Sequence, residues 1–243
     1  MYSRITQDCI KWIREFFKGA GRKTAVVGIS GGKDSAVCAR LCTEALGQVN
    51  VIGVLMPNGV QPDIDDSYAV ISQTGIRSVE INVLNAFESI TSQLNKCIGL
   101  ETSVQASVNL APRLRMATLY AVAQSADKAL VCNCTNYCEA MMGYGTLYGD
   151  VAGDFSPLGR LTVSQVMDMG EELGLSRNIA RKPPADGLTG KTDEESLGFT
   201  YADVERVLAG DPMLEVRPVI EARIKASEFK RNMIRIPVFE PGE

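Results

Sequence analysis

Histidine is missing from all 243 residues. Its absence removes Ser-His-Asp and Cys-His nucleophile pairs and every imidazole metal site. Any proton that moves must be carried by Asp, Glu, Lys, Tyr, water or a substrate. Long apolar runs are missing too: none reaches the ~20 residues that span a bilayer, so no membrane role is expected. Met1 to Lys18 mixes charged and apolar residues and lacks a signal-peptide core, which makes the expected location cytoplasmic. There is no excess of positive charge: 25 Lys and Arg against 29 Asp and Glu leave a net charge of −4. A protein that coats nucleic acid is therefore not expected, and only a local basic groove would change that. Internal repeats and low-complexity tracts are also absent.

Cysteine is the unusual presence. There are seven, scattered except for Cys132, Cys134 and Cys138. In a cytosolic chain an odd, scattered set argues against disulfides. The spacing of the three is not a usual zinc pattern. Cys132 and Cys134 stand two apart on an expected buried strand, so both face one side and read as small hydrophobes.

The length suits one globular domain, 1–243. Ile5, Cys9, Trp12, Ile13 and Phe16 follow helical spacing. Strands are expected at Thr24 to Ile29, Val51 to Met56, Ile76 to Val83 and Ala129 to Cys134. Helices are expected at Ser35 to Leu46, Asp63 to Thr74, Leu84 to Ile98 and within Val104 to Ser125. Regular alternation of strand and helix implies an α/β fold, a parallel sheet with helices on both faces. Ligands of such sheets bind at the carboxyl ends of the strands. Arg181 to Gly198 is rich in Pro, Gly and acidic residues. It reads as a mobile loop, either a lid or a plain surface excursion. Val216 to Met233 reads as one basic amphipathic helix, and Pro237 and Pro241 keep the last residues extended.

The chemical signal is the run Gly28, Ile29, Ser30, Gly31, Gly32, Lys33, Asp34 and Ser35, which follows a strand and opens a helix. Glycines let the backbone approach phosphate closely. The helix start then points unpaired N–H groups and a positive dipole end at the anion. Lys33 adds charge, Ser30 and Ser35 add hydroxyls, and Asp34 is placed to hold Mg²⁺. The run is not the kinase-type phosphate loop, which needs four residues before Gly-Lys and a hydroxyl residue after it. Nor does it have the third glycine of the dinucleotide fingerprint.

Ser-Gly-Gly-x-Asp-Ser after a first strand resembles the signature of the N-type ATP pyrophosphatases, which have an adenine-nucleotide alpha-hydrolase, Rossmann-like fold. In that superfamily the loop cradles the leaving pyrophosphate of ATP. Further motifs are similar to those of the ammonia-dependent NAD synthetases, clostridial-type branch. They are Asn109 to Met116, Thr135 to Glu139, Gly143-Tyr144 with Tyr148-Gly149-Asp150, Gly153 to Leu158, and Asp186 to Tyr201. The resemblance runs from Trp12 to Pro241. Four positions depart from the best-known members: Leu147 and Val163 in place of Lys, Pro184 in place of Thr, and Phe229 in place of His.

The resemblance implies a ligase. A nicotinate carboxylate of deamido-NAD attacks the α-phosphorus of ATP, and ammonia then displaces AMP. It implies Thr135 and the glycine loop at ATP, with Lys33 and Asp34 acting in catalysis. It implies Asp34 and Glu139 at Mg²⁺, and Arg113, Asp154 and Lys230 at the acid substrate. It also implies a homodimer that uses free ammonia, with a separate glutaminase subunit as the other nitrogen source. Two other readings stay open: adenylation of another carboxylate or a tRNA base, and a nucleotide-sensing subunit without catalysis.

Overall fold

The computed structural model describes residues 2–98, 101–183, 193–233 and 235–242. Its centre is β1 (Thr24–Gly28), flanked by β2 (Val51–Leu55) and β4 (Ala129–Val131), with β3 (Arg77–Glu80) outside β2. All pairings are parallel, with Ala25 opposite Val51, Thr24 opposite Ala129 and Ile52 opposite Arg77.

The two-residue period of a strand explains why the central strands are apolar throughout. Ala25, Val27 and Ile29 point into one cluster, and Val26, Ile52 and Val54 into another. The first cluster is closed by α1 (Arg4–Gly19), α2 (Lys33–Leu46) and α7 (Val163–Glu172), through Cys9, Ile13, Val37, Leu41, Val166 and Met169. The second is closed by α5 (Val104–Ser125) through Met116, Leu119 and Ala123. Helices thus cover both faces, as expected. Between the strands run α3 (Ile64–Thr74) and α4 (Leu84–Ile98).

After β4 the chain builds a helical layer with its own core. It comprises α6 (Tyr137–Met142), α9 (Asp193–Leu197), α10 (Tyr201–Leu208), α11 (Arg217–Ala226) and α12 (Glu228–Met233), while α8 (Arg177–Ala180) buries Ile179 and Ala180 in the first cluster beside α2 and α7. Cys138, Met142, Val163, Tyr201, Val204 and Ile220 are buried together there.

Several boundaries differ from expectation for identifiable reasons. The second helix starts at Lys33, two residues early, because Gly32 is already its extended N-cap. β3 ends at Glu80. Its chain keeps contact through Ile81 N–H to Leu55 and Val83 N–H to Pro57, but the ladder ends where β2 does. β4 ends at Val131, although Cys132 N–H still donates to Val26 O (2.9 Å), while Asn133 N–H, on the opposite edge, meets Phe155 O (2.8 Å). The tail is two helices, not one. Ser227 caps α11, and its hydroxyl donates to Met141 O (2.9 Å) and Ile224 O (3.1 Å). Of the expected loop, 184–192 lies outside the described residues. Its edges are anchored: Arg181 pairs with Asp168 and Glu171, Lys182 reaches Asp66 at 2.5 Å, and Asp193–Leu197 is helical.

Candidate active site

From β1 the chain moves to β2 and β3 on one side, then crosses back to place β4 on the other. The crevice at the carboxyl ends of β1 and β4 is therefore the topological switch point. The glycine loop leaves β1 there, and residues 132–136 leave β4 beside it.

The loop is held by its own hydroxyls. Ser30 N–H donates to Ser35 Oγ (3.3 Å), Gly32 N–H to Ser30 Oγ (3.3 Å), and Ser35 O–H to Gly32 O (3.0 Å). Gly31 takes φ +78°, and a Cβ there would sit 2.8 Å from Asp66 Cβ and 2.9 Å from Ser67 N. Gly28 is faced less closely: a Cβ would stand 3.3 Å from side-chain atoms of both Leu119 and Met56. No side chain caps the first turn of α2, which leaves a helix start suited to an anion. Lys33 is 2% exposed, with its Nζ 2.8 Å from Asp34 Oδ2. The lysine is thus not a free surface charge but the buried member of an ion pair with the half-buried Asp34 at the base of the loop.

Asn136 joins this pair to the facing wall. Its Nδ2 donates to Asp34 Oδ1 (3.0 Å). Its backbone N–H donates to Glu139 Oε2 (3.1 Å), and its Oδ1 accepts from Glu139 N–H (3.0 Å). This reciprocal box starts α6. One buried residue therefore orients both carboxylates expected to hold a metal, Asp34 through its side-chain amide and Glu139 through its backbone N–H. The donor set is all oxygen, which suits a hard cation such as Mg²⁺. Asn136→Ala should cost about 1 kcal/mol of stability through the lost cap. It should also weaken the metal dependence of activity by about 10- to 100-fold, as losses behind a ligand do. Thermal melts and a Mg²⁺ titration of turnover measure the two effects separately.

Asn133, also buried, performs the same service for Thr135. Its Oδ1 accepts from Thr135 N–H (3.2 Å) and Ser156 O–H (3.0 Å), and its Nδ2 donates to Asp150 O (3.0 Å) and Ala152 O (3.1 Å). Asn136 falls within the Thr135 to Glu139 motif, but neither asparagine was given a role from the sequence. Asn136 did carry a signal: an Asn three residues before a Glu at a strand-to-helix junction is a capping-box pattern. Asn133, inside an apolar stretch, carried no such signal.

The remaining candidates divide. Arg113 is exposed, and its Nε donates to Leu147 O (3.2 Å). Arg115 reaches over the sheet end to Met56 O (2.9 Å), and burial lowers its pKa. Lys230 donates to Gly143 O (2.8 Å) and Gly145 O (2.7 Å), so it also ties down that turn. Asp154 accepts from Tyr120 O–H (3.2 Å) and Val131 N–H (2.8 Å), which anchors it to the end of β4. Asp150 is open to solvent yet ringed by protein, and this crowding raises its pKa even though Thr146 N–H donates to it at 2.8 Å. Among the positions that depart from the family pattern, Val163 is buried in the helical layer and Phe229 is exposed. Pro184 lies outside the described residues. Among the described residues one buried side-chain atom lacks a partner: Asn58 Oδ1, beyond the carboxyl end of β2.

Asp150 has a consequence for stability. Its folded pKa lies above the unfolded value, so its contribution is greatest below that value, near 3.8, and is lost as pH rises through the folded pKa. Asp203 and Asp211 run the other way, lowered by bonds from Thr200 and from Met213 N–H. Their stabilisation is lost as pH falls. Asp150→Asn should therefore gain more in melting temperature than wild type between about pH 4 and pH 7, measured side by side.

A parallel sheet carrying Ser-Gly-Gly-Lys-Asp-Ser at its switch point defines an adenine-nucleotide alpha-hydrolase-like protein. The family model for NAD synthase matches residues 5–236. The chain belongs to the NAD synthase family, whose members are ligases. It is 36% identical over 237 residues to the NH(3)-dependent NAD(+) synthetase of Finegoldia magna, covering 96% of this chain and 95% of that one. Among solved structures it resembles NMN synthetase from Francisella tularensis, with a TM-score of 0.87, 31% identity, and 98% and 100% coverage. It also resembles the NH3-dependent NAD synthetase of Campylobacter jejuni, with a TM-score of 0.78, 26% identity, and 96% and 97% coverage.

Proposed function

We propose that this ligase amidates deamido-NAD with ammonia at the cost of ATP, through an acyl-adenylate. One observation carries the reading: the glycine loop and α2 start, which carry Asp34, lie beside the α6 start with Glu139, and Asn136 bonds both carboxylates. A carboxylate oxygen of the acid bonds to the α-phosphorus, and the bond to pyrophosphate breaks. Ammonia then bonds to the acyl carbon, AMP leaves with the former carboxylate oxygen, and one proton goes to solvent. Ser30, the loop amides and Lys33 hold the leaving pyrophosphate. Thr135 bonds the nucleotide from the opposite wall. Arg113 holds the acid substrate's phosphates, and Asp154 and Lys230 line its site. Asp34 and Glu139 would hold Mg²⁺, which when bound neutralises charge on the phosphates. Without histidine, rate comes from positioning and charge neutralisation rather than from a tuned general base.

The protein acts in the cytoplasm as a homodimer. The apolar side chains that α4 and α5 leave open, including Val104 at 81% exposure, favour a paired surface. Ammonia arrives free or from a separate glutaminase subunit. A second reading keeps the chemistry and changes the acid. The likeness to the Francisella NMN synthetase, with Leu147, Val163 and Phe229 in place of polar residues, favours a mononucleotide acid. The purified protein receives MgATP, ammonium and either acid, and amide and AMP are followed together. NAD formed faster than NMN supports the first reading and the reverse supports the second. No amide from either acid, in a folded protein that binds ATP, overturns both.

A further inference from the structure

The cysteines come together in a way their spacing does not suggest. Cys138 is not with Cys132 and Cys134 but in the core of the helical layer. Cys38 of α2 takes its place, and the sulfurs of Cys38, Cys132 and Cys134 all lie within 4.8 Å of one another. Three thiolates around one ion at about 2.3 Å stand roughly 3.8–4.0 Å apart, so a contraction of under about 1 Å closes the set.

Their hydrogen bonds offer little competition. Cys132 and Cys38 sulfurs approach Asn133 O at 3.6 and 4.0 Å, and Cys134 sulfur approaches Cys132 O at 4.0 Å. These are weak contacts for weak donors. Cys38 and Cys132 are buried and Cys134 is half-buried, so Cys134 is the side of entry. Cys42, one helical turn beyond Cys38, is buried nearby but outside the trio.

We propose that Cys38, Cys132 and Cys134 form a three-thiolate site for one thiophilic d¹⁰ cation, such as Zn²⁺, Cd²⁺ or Cu⁺. All-sulfur donors select such ions and reject Mg²⁺, which keeps this site distinct from the carboxylate pair. The step is not a redox step. Three sulfur–metal bonds form, and each thiol still protonated gives its proton to solvent. Cys134 starts ahead, since the neighbouring Cys132 and Cys38 thiols lower its pKa, whereas burial raises the other two. Cys38 lies one turn beyond Asp34, and Cys134 precedes Thr135. A bound ion therefore clamps α2 to the chain leaving β4, directly beneath the phosphate loop.

The test titrates reduced, ATP-free protein with Cd²⁺ and follows the sulfur-to-metal charge-transfer band and the melting temperature. The expected result is a band that saturates at one equivalent, with a raised melting temperature. Cys134→Ser, half-exposed and tolerant of the change, should weaken binding by about 100-fold. Cys38→Ala should do the same, and Cys97→Ser, exposed on α4, should change nothing. Circular dichroism checks that each variant is folded. No band at one equivalent in folded wild type overturns the proposal. So does a band that survives in both Cys134→Ser and Cys38→Ala. Two thiols lost to a disulfide in the isolated protein, with no Cd²⁺ uptake after reduction, overturn it as well.

Discussion

Asp34→Asn is expected to leave a folded protein that releases pyrophosphate about 10³-fold more slowly. The substitution keeps shape and one acceptor, so Asn136 Nδ2 can still donate to residue 34. What disappears is the negative charge 2.8 Å from a lysine 2% exposed. The amide that replaces it has a donor of its own, which faces the Lys33 ammonium if the Asn136 bond is kept. The amide must then either turn and break the link to α6 or stay and repel Lys33. Either choice disturbs both carriers of charge at the α-phosphorus. Losing one preorganised group of this kind costs about 3–4 kcal/mol of transition-state stabilisation. Steady-state pyrophosphate release, with far-ultraviolet dichroism as a fold control, measures this. A loss under tenfold would sink the role given to Asp34.

Gly31→Ala should raise the KM for ATP and lower turnover by a combined factor above about 100-fold, with a stability loss of about 1–2 kcal/mol. Two separate objections stand against a methyl group there. The backbone has φ +78°, which L side chains avoid. The methyl would also meet Asp66 Cβ and Ser67 N at under 3.0 Å. The second contact is with backbone, so a rotamer change does not relieve it. Ser67 also holds the loop through its hydroxyl, which donates to Ile29 O at 3.3 Å. The loop must move away from α3, and the anion site moves with it. ATP titrations and thermal melts check the two effects. Wild-type KM in the variant would show that loop geometry tolerates the shift.

The parallel core was legible because β1 and β2 are apolar on both faces and bounded by glycine and proline. Strand ends were less so. Past Val131 only Cys132 N–H still reaches β1, and the other edge of the chain meets Phe155, a partner too distant in sequence to be read from the strand pattern. The glycine loop was legible because phosphate chemistry demands those residue types together. The Asn136 bridge and the cysteine trio were not, since each depends on residues about a hundred positions apart meeting at one sheet end. The two tail helices were missed because Ser227 resembles an ordinary helix residue. Only its packing shows the break: a Cβ on Gly143 would overlap it.

The order β3-β2-β1-β4 also sets when this protein becomes itself. β1 forms early in synthesis, but its second neighbour lies more than a hundred residues later. Until then its inner edge is an open template for any passing strand. Such distant pairing is slow to form and exposed to aggregation meanwhile. The loop and the Asn136 wall cannot meet before β4 docks, so nucleotide cannot assist the early stages. A nascent chain halted after α5 should therefore be unable to bind ATP and should be prone to self-association.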